Sequence, residues 1–237
     1  MAEGAHGEPY ASIPAALSRV SSPPPRLAIV VPTLDEASAV ERNLPLALAA
    51  ADEVVVSDGG SRDATVEIAR RLGARVVTGP SGRGGQLNRG ARAARADVLL
   101  FLHADTTLPD GAAAAVRRAV AGGAVGGGFR VRFPERRAAL RLGERLINLR
   151  TRLFEVPLGD QAQFVTRETF EAMGGFADWP ILEDLDFIRR LERRGRLAIV
   201  PEPVTTSGRR FLARGPVRTV ATNWLIFALY FLGVPPV

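Results

Sequence analysis

Four side chains suited to ligand chemistry fall in loops that follow short apolar runs: Asp35, Asp58, Arg83 and Asp105. His103-Ala104-Asp105 closes the most apolar of these runs, Val98 to Leu102, where a carboxylate must be solvated or paired. One aspartate beside an imidazole suits magnesium or manganese, hard ions that keep water and diphosphate oxygens as most of their ligands. Asp58-Gly59-Gly60-Ser61 reads either as a tight turn with a helix cap or as a strand-end carboxylate that accepts a bond from the ring nitrogen of a base. The loop Gly79 to Gly85 presents Arg83, whose guanidinium fits phosphate. Glu183-Asp184-Leu185-Asp186 puts acids in a first helical turn, which the helix dipole alone favours, and Asp186 is structural. Ser207-Gly-Arg-Arg-Phe211 is either a solvated basic turn or a pair of arginines, Arg209 and Arg210, that closes on a phosphate.

Positioning these residues requires alternating strands and crossover helices. Strands are expected at Leu27–Val31, Glu53–Ser57, Arg75–Val77 and Val98–Leu102. Pro45 is expected near the start of the first helix, and Ser61 as the cap of a helix over Arg62–Leu72. Short, wholly apolar strands imply a buried parallel sheet, and right-handed crossovers bring all the strand carboxyl ends to one edge, where an open α/β sheet binds its ligand. The second half is less regular. An alternating strand at Phe129–Phe133, a basic helix from Ala138 to about Arg152, a helix from Glu183 to Arg194 and a strand at Leu197–Val200 are expected there.

Composition removes whole classes of function. There is no cysteine, hence no disulfide, no thiolate catalysis and no sulfur-bound zinc. All 31 basic side chains are arginine, which excludes a Walker A lysine and a Schiff-base enzyme. A dispersed surplus of +6 over 237 residues does not argue for nucleic acid. Residues 1–26, ending in Pro23-Pro24-Pro25, read as a flexible leader without signal-peptide features. The apolar run Trp224–Val234 is 11 residues, too short to span a bilayer. It reads as a buried C-terminal helix or as a contact with a membrane surface, the latter helped by the basic stretch Arg136 to Arg152.

In order along the chain stand Val31-Pro-Thr-Leu-Asp-Glu36, Val56-Ser-Asp-Gly-Gly-Ser61, Gly82-Arg-Gly-Gly-Gln-Leu-Asn88, Phe101-Leu-His-Ala-Asp105, Gly159-Asp-Gln161, Ile181-Leu-Glu-Asp184 and Ser207-Gly-Arg-Arg-Phe211. From Leu27 to about Val234 this series resembles the family 2 glycosyltransferases of GT-A fold. Within them it resembles a compact bacterial branch found beside radical-SAM and arsenosugar genes. The resemblance implies a single domain over 27–237. Its parts would be a nucleotide-sugar half (27–105), an acceptor half (106–215) and a C-terminal apolar helix (216–237).

Carried over by position, Pro32, Thr33, Asp35 and Asp58 would hold the base of the donor, and Arg83 and Asn88 would border the nucleotide pocket. Asp105 matches the final acid of the metal element, with His103 in place of its first Asp, and Arg209 and Arg210 match a basic element near the diphosphate. Asp184 matches the catalytic base. Gly128, Asp160, Gln161 and Glu183 fall on the acceptor side. The implied reaction is metal-assisted, inverting transfer from a nucleoside diphosphate sugar, such as a UDP-sugar, to an acceptor hydroxyl. The acceptor is unnamed, and a lipid-linked one stays open. The implied location is cytoplasmic, with peripheral contact to the inner face of a membrane left open. A non-catalytic nucleotide-sugar or membrane-surface binder of the same fold is the alternative, followed by a sugar-1-phosphate nucleotidyltransferase. The latter needs a glycine- and arginine-rich loop after the first strand, where this chain has Pro32-Thr-Leu-Asp-Glu36.

Overall fold

A computed structural model of the chain describes residues 23–135 and 137–208, with Thr222 and Tyr230 beyond them. The expected leader enters only at Pro23. Arg209, Arg210 and the segment 216–237, those two residues apart, lie outside the described residues.

The first half runs β1 (Leu27–Thr33), α1 (Ala37–Ala50), β2 (Glu53–Asp58), α2 (Thr65–Arg71), β3 (Arg75–Thr78), α3 (Arg83–Ala93) and β4 (Val98–Phe101). There follow β5 (Thr106–Thr107), α4 (Ala112–Ala121), β6 (Gly126–Arg132), α5 (Ala138–Phe154) and a 3-10 turn at Gly159–Gln161. The described chain closes with β7 (Phe164–Thr166), α6 (Arg167–Ala172), α7 (Glu183–Glu192) and β8 (Leu197–Thr206). One sheet holds all eight strands in the order β3-β2-β1-β4-β7-β6-β8-β5. The four strands of the first half are parallel, while β7 runs antiparallel to both β4 and β6.

Both faces of the parallel part are covered, which is why its strands read as unbroken apolar runs. Leu27, Ile29 and Val31 join one core layer with Val54, Val56 and Leu100. Ala28 and Val30 point the other way, into a layer with Val55, Leu99 and Phe101. In that second layer Phe176 stacks on Phe187 at 4.0 Å and meets Phe101 edge-on at 4.8 Å. Tyr230 packs on the same layer with its ring 6.5 Å from Trp179.

Local expectations change at two helix starts, and two strands are longer than expected, β6 beginning at Gly126 and β8 running on to Thr206. Pro45 lies inside α1, because the helix already begins at Ala37, so one backbone bond to Glu41 is missing mid-helix. Ser61 does not cap α2, which starts at Thr65. Asp63 instead accepts the N–H of Thr65 at 3.0 Å and that of Ala37 at 3.1 Å. The run Gly126-Gly127-Gly128 also finds its reason here, since β6 is wedged between β7 and β8. A Cβ at Gly126 would stand 2.4 Å from the Phe164 carbonyl oxygen, and one at Gly127 would stand 1.9 Å from that of Ala198.

Candidate active site

The loops after β1 and β4 and the start of α3 enclose an open cleft of about 270 Å³, lined by Pro32, Thr33, Arg83, Gln86, His103 and Asp105 among others. Its floor is held by Gln86. The buried amide donates to the carbonyls of Thr33 (2.8 Å) and Ser57 (3.0 Å), bridging the paired ends of β1 and β2, and accepts from Gly82 N–H. The turn that carries His103 and Asp105 is pinned from α1, where Asn43 donates to the Ala104 carbonyl at 2.8 Å.

Asp58 is 1% exposed. Its Oδ1 accepts the N–H groups of Gly60 (2.8 Å) and Ser61 (2.9 Å), and its Oδ2 accepts the hydroxyls of Thr33 (3.0 Å) and Ser61. Burial works against the charge, but these bonds outweigh it and hold the carboxyl below the usual aspartate value. The four acceptor positions of the carboxylate are thereby filled from within. Asp58 thus joins the loops after β1 and β2, and binding a base through its side chain would mean exchanging one of these partners. Asp35, exposed and in the left-handed region at φ 53°, accepts Arg62 N–H at 2.7 Å, while its own N–H donates to Ser61 Oγ at 2.9 Å.

The second cluster forms where the 3-10 turn meets α7. Leu182, which precedes that helix at φ 65°, is in a conformation unfavourable for a bulky side chain, and backbone of this kind concentrates at functional sites. Asp184 Oδ2 accepts Gly159 N–H at 2.7 Å and Oδ1 accepts Leu185 N–H at 2.8 Å, so the carboxylate is fixed in orientation. A Cβ built on Gly159 would lie 2.8 Å from Arg83 Nη2, 3.0 Å from Asp184 Oδ2 and 3.2 Å from His103 Nε2. Three elements distant in sequence therefore place cation, carboxylate and imidazole around one point, and glycine leaves that point open. Arg83 Nε pairs with the buried Glu183 at 3.0 Å, and its Nη2 stands 3.5 Å from His103 Nδ1.

The electrostatics of this cluster are uneven. Burial raises the Glu183 carboxyl, as does the charge of Asp184, with Arg83 opposing both. Burial also raises Asp160, which sits in the opposed fields of Arg150 and Asp184. Arg150 reaches over from α5, donating to Gln161 Oε1 at 2.9 Å.

Not every expected site residue faces the cleft. Gln161 is fully buried: its Oε1 also accepts from Thr151 and Leu158, and its Nε2 donates to the Phe129 carbonyl at 2.8 Å. A Cβ on Gly128 would meet Pro157 at 2.6 Å. Both residues stand behind the site rather than on its surface. Asn88 exchanges two bonds with the Phe176 backbone, 2.9 and 2.8 Å, and so ties α3 to the loop before α7. Glu183 faces Arg83 rather than solvent. Arg209 and Arg210 lie outside the described residues. Gln86 and Arg150 were not singled out by sequence. The Gly82–Asn88 motif contains Gln86, but nothing in α5 separates Arg150 from the arginines around it.

Among the described residues no group of three or more His, Asp or Glu forms a complete metal cage. Asp105 and His103 share one turn and line the cleft, a donor set that fits an ion completed by water and diphosphate oxygens.

Glycosyl transferase family 2 matches residues 28–175. Among solved structures, the mannosyltransferase PcManGT from Pyrobaculum calidifontis in complex with GDP-Man and Mn2+ is similar at a TM-score of 0.60 and 23% identity, over 77% of this chain and 57% of that one. Glucosyl-3-phosphoglycerate synthase from Mycobacterium tuberculosis, in complex with Mn2+, UDP and glucosyl-3-phosphoglycerate, gives 0.59 and 23%, over 89% and 81%. TarS 1–349 from S. aureus with UDP-GlcNAc gives 0.58 and 17%, over 77% and 58%. The chain thus spans less than two thirds of the length of the mannosyltransferase and TarS structures. The likeness is one of fold, and the α/β architecture expected of a GT-A domain is the one seen. No curated protein matches the chain by sequence.

Proposed function

As the chain belongs to glycosyl transferase family 2, we propose that it moves a sugar from a nucleoside diphosphate sugar to an acceptor hydroxyl, with inversion at the anomeric carbon. The meeting of Asp184 Oδ2, Arg83 Nη2 and His103 Nε2 at Gly159, beside the cleft that Arg83 and His103 also line, carries this reading. The loops of Pro32, Thr33, Asp35 and Asp58 hold the base of the donor. Arg83, steered by Glu183, balances the charge that grows on the departing diphosphate. Asp105 and His103 would hold a divalent ion that, when bound, supplies further positive charge to the same oxygens. The acceptor oxygen attacks the anomeric carbon from the opposite face, the bond to the diphosphate breaks, and the hydroxyl proton passes to Asp184. Asp160, which feels the charges of Arg150 and Asp184, belongs to the acceptor side of the site in this reading.

Structural neighbours solved with GDP-Man and Mn2+, and with UDP and Mn2+, support a donor of this class and a metal requirement. His103 in place of the first acid of the metal element supports the compact branch beside radical-SAM and arsenosugar genes. A cytoplasmic location, with the donor supply, belongs to the same reading. The test is a thermal-shift panel of nucleoside diphosphate sugars with and without manganese, followed by assays of hydrolysis and transfer. Stabilisation by one donor and turnover of it are expected. Stabilisation without either reaction would make the protein a nucleotide-sugar binder, and no stabilisation by any donor would remove the proposal.

A further inference from the structure

Helix α5 turns Leu140, Gly143 and Thr151 inward, and Asn148 ties it to β6 by accepting from and donating to the Val131 backbone, each at 2.9 Å. Its outer face is apolar too. Leu142, Leu146, Leu149 and Leu153 recur at spacings of four, three and four, which aligns them in one row along the helix. They are 58, 42, 51 and 65% exposed, and Phe154 at the end adds 60%. Single exposed leucines are ordinary, but a contiguous apolar row marks an interaction surface.

The row has a basic flank. Arg141, Arg145 and Arg152 are exposed along one side of it and Arg137 precedes the helix; no exposed residue within α5 is acidic, and the exposed Glu155 directly follows it. Glu144, the one acid within the helix, is half-buried and accepts Phe133 N–H at 3.2 Å. This charge pattern selects the occupant. A second copy laid on the row would set arginine mostly against arginine, with Glu155 at the end of the helix as the exposed carboxylate beside them. From the C-terminal apolar segment, the described Tyr230 packs beside Trp179 on another surface. An anionic bilayer satisfies both features at once, with leucines in the acyl boundary and guanidinium groups among the phosphates.

We propose that α5 is an interfacial helix, lying in the plane of an anionic membrane through the Leu142–Leu153 row and Phe154. It lies on the bilayer rather than across it, as no helix among the described residues is long and apolar enough to span one. Arg150 on a neighbouring flank bonds Gln161 of the 3-10 turn, so a docked α5 keeps that turn close to the headgroups. The attachment is independent of sugar transfer.

The test is cosedimentation of the full chain with phosphatidylcholine vesicles, with and without phosphatidylglycerol. Binding is expected only with the anionic lipid, weakening as salt rises. Leu146→Glu with Leu149→Glu is expected to lower partitioning by roughly tenfold or more. Arg145→Gln with Arg152→Gln is expected to lower it about 25-fold at low salt, roughly fivefold per arginine. Leu46→Glu, an equally exposed leucine on α1, should leave binding unchanged. Thermal unfolding of each variant separates surface effects from loss of fold, and the arginine pair reads the same surface if the glutamate pair does not fold. Binding that survives both α5 double variants, or no binding to anionic vesicles, overturns the proposal. So does a lipid-free dimer that the leucine pair converts to monomer, which would assign the row to a second copy.

Discussion

The Gly159 N–H donates to Asp184 Oδ2 at 2.7 Å, so the carboxylate at the head of α7 is aimed by a turn 25 residues earlier in the chain. That turn also sets the spacing of Arg83 and His103, because only a residue without a Cβ leaves room for all three groups.

Gly159→Ala should therefore lower kcat by about 10- to 100-fold, the scale of a displacement of under an ångström in an aligned site. The contacts a methyl would make, at 2.8 to 3.2 Å, are all with ends of side chains, which yield at little cost to the fold. Turnover and thermal midpoint measured together check this. An unchanged kcat would show that the turn does not set the geometry.

Asp184→Asn keeps the bond from Gly159 available but removes the proton acceptor. Turnover should fall by roughly 100- to 10,000-fold while the thermal shift given by a donor persists. Loss of the donor shift in the variant would instead place Asp184 in donor binding.

Asp58→Asn puts an amide where a carboxylate accepts from four donors. A loss of about 2 kcal/mol is expected, or roughly 4–8 °C in Tm for a chain of this size. The folded value of Asp58 lies below its ordinary 3.8, so as pH falls the unfolded chain takes up the proton first. Stability from Asp58 is then full above pH 3.8 and fades as pH drops through the depressed value. Urea titrations of both proteins over acidic pH should show their difference narrowing in that direction.

Glu183→Gln tests the opposite sign. The Glu183 carboxyl is raised above 4.5, so on raising pH past that value the unfolded state ionises first and the wild type loses stability until the folded group ionises as well. The glutamine variant lacks that decline. Parallel pH dependence in the two proteins would refute the burial argument for Glu183.

Asp105→Ala should abolish the extra thermal shift that manganese adds to a bound donor, and leave the shift seen without metal largely in place. Retention of the manganese increment would exclude Asp105 as its ligand.

The parallel half of the sheet was legible because strands buried on both faces leave continuous apolar runs, and strand ends then locate Asp35, Asp58, Arg83 and Asp105. What a polar side chain touches was not legible. Asn88 and Gln161 carry the same groups whether they meet a ligand or the protein's own backbone, and only tertiary placement decides. Ser61 followed the cap rule in sequence, yet Asp63 satisfied the helix start and freed the serine for Asp58. In α5 the basic helix was legible, but which stripe faced inward was not, and that choice sends Arg150 toward the site and four leucines outward.

The bonds of Asn88 with Phe176 make α3 part of a larger mechanical unit, since Arg167 of α6 also grips the carbonyls of Ala94 and Ala96 at its end. Although α3 precedes β4 in sequence, it is coupled to the C-terminal half. A chimera that exchanges that half with a relative would do better with α3 carried along than with a crossover point drawn after Asp105.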